Sequence, residues 1–156
     1  MARHPKPTLN TIGYAGLSIV EFLAALQANR IELVVDVREL PLSHKKGFSK
    51  RALQVHLSRK QIRYVHAREL GCPRAIRLRF SRRYRSAREW QRFEQAFKGY
   101  LAGQGAALTA LGATVAESRS ALLCVEADPR FCHRSIVAQA VARLTRAPVH
   151  HIVSAT

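Results

Sequence analysis

The 156-residue sequence is poor in the features that mark secreted and membrane-spanning proteins. It contains only three cysteines, one tryptophan and 7% aromatic residues. Three cysteines are too few for a disulfide framework and leave at least one free thiol, so we expect a reducing compartment, the cytoplasm. No apolar run approaches the roughly 20 residues that cross a bilayer, and no apolar segment of a secretory signal follows the basic N-terminus, so we expect no membrane association.

Acidic residues are also scarce, since 10 aspartates and glutamates stand against 26 lysines and arginines, a net charge of +16. The excess lies in one segment: residues 44–92 hold 16 basic and two acidic residues, whereas residues 1–43 are neutral and residues 93–156 carry +2. Arginine outnumbers lysine by 20 to 6, which favours phosphate binding, although a codon bias of the source genome explains that ratio equally well. The clustering predicts a nucleic acid or another phosphate-bearing ligand as partner.

The order of apolar segments predicts one α/β domain over residues 1–156. A hydrophobic content of 47% is enough for a packed core. Ser18 with Glu21 and Ser86 with Glu89 have the spacing of helix capping boxes. Strands are predicted at about 8–14, 32–37, 62–66, 120–125 and 148–153, with helices starting at about 18, 49, 86, 103 and 135. This alternation predicts a mostly parallel sheet of about five strands with helices on both faces; strand order and oligomeric state stay open.

Residues 68–86 show no clean period and form a predicted irregular basic insertion. Arginines there are interleaved with aromatic residues, a composition that suits phosphate contacts and base stacking. We therefore predict a nucleic-acid-binding surface; the alternative is a solvated charged face. Its predicted members are Arg82, Arg83, Arg85 and Trp90.

Polar residues follow the second predicted strand, where ligands of open α/β sheets bind beyond the carboxyl ends of the strands. Asp36 ends an apolar strand and is a candidate acid or base, with Arg38 and Ser43 as candidate anion ligands. Tyr14, at the end of the first strand, is expected at the same edge. The alternative is structural: Asp36 pairs with Arg38 or caps loop amides.

The stretch from Cys124 to Ser135 is the richest in reactive side chains, and three interpretations compete for it. The first is a thiol loop, since Cys124 and Arg130 have the spacing of a nucleophile and an anion clamp. That loop contains two carboxylates and no glycine, which oppose phosphate binding. The second is a metal site of both cysteines, His133 and a C-terminal histidine (His150 or His151), but no usual pair spacing is present, so no metal or cofactor is predicted.

The third interpretation is an acid–base and anion-binding site at a helix N-terminus, where free N–H groups stabilise anions and thiolates. Glu126, His133 and Cys132 are its candidate catalytic residues. Arg134 and Ser135 are its candidate anion ligands, and Ser135 is also the predicted helix cap. Cys124 is expected to be simply buried.

Taken together, these motifs resemble the domain-of-unknown-function family 488. The matching pieces are TIGYAGLSIVEF from Thr11, VVDVRELPLS from Val34, FSKRAL from Phe48, IRYVHARELG from Ile62 and LLCVEADPRFCHRSIVA from Leu122. The resemblance covers nearly the whole chain and implies a compact α/β fold with a cleft built from these motifs, without an assigned reaction. The VVDVR piece also looks like the start of a rhodanese domain, but the nucleophile loop of that family is not matched.

These observations favour an enzyme of unassigned reaction that acts on a phosphate-bearing or nucleic-acid substrate in an acid–base and anion-binding cleft. The main alternative is a nucleic-acid-binding module without catalysis, and a weaker one is a rhodanese- or phosphatase-like thiol enzyme. The first hypothesis requires the DVR and CHR tripeptides, distant in the chain, to meet at one crevice.

Overall fold

A computed structural model of the protein describes residues 8–80 and 86–153. Within these residues, strands and helices alternate along the chain, and two short 3₁₀ turns (Arg68–Leu70 and Pro129–Phe131) accompany them. The five strands are β1 (Leu9–Gly13), β2 (Leu33–Asp36), β3 (Arg63–His66), β4 (Ser120–Cys124) and β5 (Val149–Ile152). The six α-helices are α1 (Ile19–Ala28), α2 (Lys50–Arg59), α3 (Arg74–Arg79), α4 (Ala87–Leu101), α5 (Gly105–Glu117) and α6 (His133–Thr145).

The five described strands form one parallel sheet in the order β3-β2-β4-β1-β5. The α/β fold and the parallel sheet predicted from the sequence are confirmed. The chain leaves β2 towards β3 on one side and leaves β4 across β1 towards β5 on the other. Connections that diverge in this way open a crevice beyond the carboxyl ends of the two strands, here β2 and β4.

The sheet separates two apolar cores, because alternate residues of a strand point to opposite faces. On one face, α1 and α2 pack over Ile12, Val34 and Leu123. On the other face, α4, α5 and α6 pack over Leu9, Val35 and Leu122. The central strands β1, β2 and β4 are buried along their whole length, as their apolar sequences predict.

Local signals account for some helix starts and not for others. Ser18 and Glu21 form the predicted capping box of α1, and the Ser86 side chain accepts a hydrogen bond from the Glu89 N–H at the start of α4. Ser49 precedes α2 without a side-chain capping bond. The expectation that Ser135 caps α6 is wrong: the helix begins two residues earlier, Cys132 is its N-cap, and the Ser135 hydroxyl donates to the Pro129 carbonyl.

The segment predicted as an irregular insertion is more regular than expected. It contains the 3₁₀ turn Arg68–Leu70 and the short helix α3, and Leu70 and Cys72 are buried in the core. Apolar anchors spaced among the arginines explain why the segment folds back onto the domain. None of the helices described for residues 8–80 and 86–153 is long and apolar enough to span a membrane.

Candidate functional site

Two groups of polar side chains lie at the carboxyl ends of β2 and β4, on opposite faces of the sheet. Asp36 and Arg38 point to the side of α1 and α2, whereas Cys124, Cys132 and His133 lie on the side of α4 and α6. Each group has its own chemistry.

The first group, the Asp36–Arg38 cluster, consists of Tyr14, Asp36, Arg38 and Tyr64. Arg38 donates to both carboxylate oxygens of Asp36, from Nε at 2.9 Å and from Nη2 at 2.7 Å. Its Nη1 donates to the Phe48 carbonyl at 2.7 Å and towards the Tyr14 hydroxyl at 3.4 Å. The Tyr64 hydroxyl donates to Oδ2 of Asp36 at 2.6 Å. Asp36 is therefore held by three donor groups, since the Arg38 N–H also bonds its Oδ1.

This cluster is buried and internally satisfied. Asp36 is 0% and Arg38 is 4% exposed. Burial alone would lower the pKa of the Arg38 guanidinium, but Asp36 outweighs it and raises that pKa above its usual range. Burial, with the hydrogen bond to Asp36, also raises the pKa of Tyr64 above its usual range. This is the structural alternative predicted for Asp36, in which it pairs with Arg38. The carboxylate oxygens already accept hydrogen bonds from Arg38 and Tyr64, so they have little capacity for a further donor.

The second group, the thiol cluster, consists of Cys124, Cys132 and His133. Cys124 ends β4, and Cys132 and His133 start α6, so one loop brings all three together. Their sulfur and nitrogen atoms all lie within 4.8 Å of one another, and Cys124 Sγ is 3.6 Å from His133 Nδ1. His133 Nε2 lies 2.7 Å from the Val37 carbonyl. Because a carbonyl can only accept, Nε2 carries the proton, and in the neutral ring the Nδ1 lone pair faces the sulfur.

The two thiols of the cluster differ in their affinity for a proton. Hydrogen bonding with Cys132, followed by burial, raises the pKa of Cys124 well above its usual range. Burial would also raise the pKa of Cys132, but hydrogen bonds with Cys124 and His133 and the charges of His133 and Arg134 hold it well below its usual range. Position at a helix N-terminus acts in the same direction. Cys132 is therefore the more acidic thiol of the pair. The third cysteine provides a contrast, because burial raises the pKa of Cys72 to about 12.

The main chain between Asp36 and Arg38 connects the two clusters. Two imidazoles contact it there: His133 donates to the Val37 carbonyl, and His66 Nε2 lies 2.8 Å from the Arg38 carbonyl. Val37 lies between the two partners of the Asp36–Arg38 ion pair, and its N–H donates to the Leu123 carbonyl at 3.1 Å. The DVR and CHR motifs therefore meet through this backbone, while their charged side chains point to opposite faces of the sheet.

Arg134 fastens the loop after β4 to the first turn of α6. It is fully buried; its Nη1 donates to the Glu126 carbonyl and its Nη2 to the Ala127 carbonyl at 3.4 Å. Among the described residues, its Nε has no hydrogen-bond partner. The loop can pass this close to β1 only because residue 13 is a glycine: a Cβ there would lie 1.7 Å from the Glu126 carbonyl oxygen. Arg134 and Arg38 each bind the protein's own groups, and the Glu126 side chain is exposed.

Two further predicted site residues, Ser43 and Trp90, belong to neither cluster. The half-buried Ser43 accepts a hydrogen bond from the Lys45 N–H in its own loop. The Trp90 ring packs on Phe93 and Phe131, with centroid distances of 5.1 and 5.8 Å, so part of its surface is covered by other aromatic rings. Arg82, Arg83 and Arg85 lie outside the described residues. Arg130 pairs with Asp128 at 2.8 Å and is 78% exposed, so it does not clamp an anion over Cys124.

Two contributors to the site escaped the sequence analysis, and a third was set aside. From the sequence, Cys124 is a candidate thiol nucleophile and metal ligand but is expected to be simply buried, although its place at the carboxyl end of β4 is a usable signal. Tyr64 belongs to the Asp36–Arg38 cluster because β3 pairs with β2, with Asp36 beside His66, and strand order is not visible in the sequence. The Val37 carbonyl acts through the main chain, which no residue pattern reveals.

The fold defines an open, parallel α/β protein with both polar clusters at the carboxyl edge of the sheet. The chain matches the family described as domain of unknown function DUF488 over residues 18–141, and it belongs to that family. No curated protein and no solved structure shows a significant match to it.

Proposed function

We propose that the protein is an enzyme that acts on a phosphate-bearing substrate, with the thiol cluster as its reaction centre. The observation that carries this proposal is the alignment of His133. Its Nδ1 faces Cys124 Sγ at 3.6 Å while its Nε2 is fixed to the Val37 carbonyl at 2.7 Å. A sulfur, a base and a group that orients the base are the parts that nucleophilic sites share, whatever fold carries them.

Each member of the cluster has a distinct role in this proposal. Cys132, at the N-cap of α6, is the anionic sulfur and benefits from the free N–H groups of the first helical turn. His133 accepts or returns a proton at Nδ1. The cluster is nearly buried, with His133 9%, Cys124 6% and Cys132 2% exposed, so the proposal requires a substrate group to enter at the carboxyl edge of the sheet. Asp36 and Arg38 act as positioning residues because they flank Val37, whose carbonyl His133 contacts.

Substrate class follows from charge and not from the cluster itself. The net charge of +16 favours an anionic substrate, and the arginine-rich composition favours phosphate over carboxylate. All three cysteines are free thiols, which agrees with a reducing compartment, and we place the enzyme in the cytoplasm. Glu126, exposed at the same loop, is the remaining acid–base candidate of this proposal.

The test uses p-nitrophenyl phosphate, bis(p-nitrophenyl) phosphate and a short single-stranded RNA as probes, with the full chain in reducing buffer. Cys132→Ser and His133→Gln should lower kcat/KM at least about 100-fold, the usual contribution of a nucleophile or base. Cys72→Ser is the matched control, a second buried thiol that should leave the rate unchanged. Glu126→Gln tests whether the exposed carboxylate takes part.

Two results would overturn the proposal. Undiminished turnover in Cys132→Ser, with the folded state confirmed by circular dichroism, removes the cluster from the reaction. Absence of turnover on all three probes removes the substrate class.

A second candidate, binding of nucleic acid without catalysis, is favoured by one observation. Within residues 44–80 and 86–92, nearly all the lysines and arginines have exposed side chains. A surface of this kind binds polyanions by counterion release, so its affinity falls steeply with salt. Changing Arg82, Arg83 and Arg85 together to Ala should reduce the salt slope by about 0.7–0.9 for each phosphate that is no longer neutralised. Binding without turnover favours this candidate; no binding at low salt excludes it.

A further inference from the structure

The thiol cluster has the composition and dimensions of a metal site. It joins two sulfur ligands and one imidazole nitrogen, all within 4.8 Å of one another. A tetrahedral zinc ion with Zn–S of about 2.3 Å and Zn–N of about 2.0–2.1 Å separates S from N by about 3.6 Å and S from S by about 3.8 Å. The distance from Cys124 Sγ to His133 Nδ1 is 3.6 Å, the edge that such an ion requires.

His133 is already held as metal-binding histidines usually are. A ligating imidazole almost always donates its other N–H to a carboxylate or carbonyl, which fixes the tautomer and leaves the ligating nitrogen unprotonated. Here Nε2 donates to Val37, so the lone pair of Nδ1 points into the cluster. The Phe97 ring stands edge-on to the imidazole at 5.3 Å and limits its rotation.

Charge and ligand softness select the ion. Two thiolates balance a divalent cation, so the bound site is neutral and can stay buried without an uncompensated charge. Sulfur and imidazole ligands suit zinc and related transition metals, whereas magnesium and calcium require oxygen ligands. Among the described residues, the cluster offers three ligands and no fourth.

We infer that Cys124, Cys132 and His133 bind one zinc ion and leave its fourth position open towards the crevice. A site of three protein ligands and one open position is typical of catalytic zinc, which binds water or a substrate oxygen there, and structural zinc sites have four protein ligands. Zinc binding stands on the geometry alone. The use of the open position rests on the proposed function, with Cys132 and His133 then acting as metal ligands and not as nucleophile and base.

The pair-spacing rule missed this site for a physical reason. That rule detects ligands that approach one ion from the same turn or helix, such as C-x2-C. Here the end of β4 supplies one ligand and the first residues of α6 supply the others, so their meeting depends on the loop between them. Two adjacent residues, Cys132 and His133, both reach the cluster because one is the N-cap and the other the first helical residue.

The test is a titration of the reduced, metal-free full chain with Co²⁺, whose thiolate charge-transfer and tetrahedral ligand-field bands report the ligands directly. We expect one equivalent to bind and Zn²⁺ to displace it. Cys124→Ser, Cys132→Ser and His133→Gln should weaken binding by more than about 100-fold, since loss of an outer partner alone costs 10–100-fold. Glutamine at position 133 keeps an N–H that can reach the Val37 carbonyl, which protects the fold. It lacks the ligating ring nitrogen, so metal binding is weakened. Cys72→Ser is the control and should bind normally.

Several results would overturn the inference. They are the absence of thiolate-to-cobalt bands in the folded wild type, equal affinity in Cys132→Ser, or a loss in Cys72→Ser as large as in the cluster variants. Circular dichroism of each metal-free variant excludes unfolding as the cause.

The same samples separate this inference from the proposed function. If Co²⁺ binds through the cluster and no phosphate probe is turned over with or without Zn²⁺, the metal site stands and the proposed function fails. If the metal-free chain develops no Co²⁺ bands on titration but turns over the probes through Cys132, the thiolate is the nucleophile and the metal inference fails.

Discussion

The Asp36–Arg38 cluster and the thiol cluster lie at the ends of neighbouring strands, but they differ in how fully their polar atoms are used. In the first, Asp36 is held by Arg38, Tyr64 and a backbone amide. In the second, two cysteine sulfurs and an imidazole nitrogen face one another with few other partners. A saturated cluster mainly stabilises the fold, whereas an unsaturated one retains capacity for a ligand. The comparison therefore assigns ligand binding to the thiol cluster and stabilisation of the fold to the Asp36–Arg38 cluster.

The largest expected effect on the free energy of unfolding comes from a substitution in the Asp36–Arg38 cluster. Asp36→Asn leaves the buried guanidinium of Arg38 without its counter-charge, so it should lower the free energy of unfolding by about 3–5 kcal/mol. Urea denaturation measures this loss. The control is Glu39→Gln, which removes the carboxylate of the more exposed ion pair with Arg77 and should cost less than about 1 kcal/mol. Equal losses in the two variants would mean that the cluster is not a stabilising unit.

Tyr64→Phe tests the same cluster without removing a charge. It removes one hydrogen bond to the buried carboxylate and should cost about 1.5–3 kcal/mol at neutral pH. Because folding raises the pKa of Tyr64, the folded state holds its proton more tightly than the unfolded chain. The stability advantage of wild type over Y64F is therefore complete below about pH 10 and declines as the pH rises above it. An advantage that grows above pH 10 would contradict the assignment.

Gly13→Ala tests the loop that carries the thiol cluster. The new Cβ would meet the Glu126 carbonyl, so the loop must move, at a cost of about 1–3 kcal/mol. We expect a matching loss of Co²⁺ affinity, because the loop joins Cys124 to Cys132. Gly99→Ala is the control: nothing lies within 4 Å of its Cβ, and alanine in the interior of α4 should add about 0.5–1 kcal/mol of stability. If Gly13→Ala is destabilised but its cobalt bands are unchanged, the position of the loop does not determine the geometry of the thiol cluster, and the prediction is wrong.

The smallest expected effect on stability is at His133. His133→Asn loses the hydrogen bond to Val37 and should cost about 0.5–1.5 kcal/mol, whereas His133→Gln should cost less. Thermal melts of the metal-free proteins compare the two variants. A loss at His133 as large as that of Asp36→Asn would mean that both clusters are structural.

The sequence predicts the α/β class and most elements because buried parallel strands and capped helices have strong local signals. VVD in β2 and LLC in β4 are apolar runs bounded by polar residues, and Ser18 with Glu21 marks the start of α1. Strand order is not predictable in this way, because it depends on contacts between distant segments. Trp90 shows a similar limit: its neighbours in the sequence are charged, but its neighbours in space are Phe93 and Phe131.

The site is predictable only in part. Polar residues after β2 and β4 point to the correct edge of the sheet, and Cys132 and His133 are recognisable at a helix start. Two properties depend on geometry: the face to which Asp36 and Arg38 turn, and the start of α6 at His133 instead of Ser135. The first depends on the pleat of β2 and the second on the 3₁₀ turn before Cys132, and neither is coded by a residue type.

Val37 contributes its carbonyl oxygen to the thiol cluster and its apolar side chain only to the core. Exchanging its side chain for another apolar one would leave that oxygen where it is, so mutational scanning would classify the position as ordinary packing. Backbone chemistry is needed to reach it: an ester in place of the amide between Val37 and Arg38 would weaken the acceptor without altering any side chain, and would also remove the Arg38 N–H that donates to Asp36. The orientation and tautomer of the His133 ring are therefore set by a main-chain carbonyl, which amino-acid substitutions do not remove.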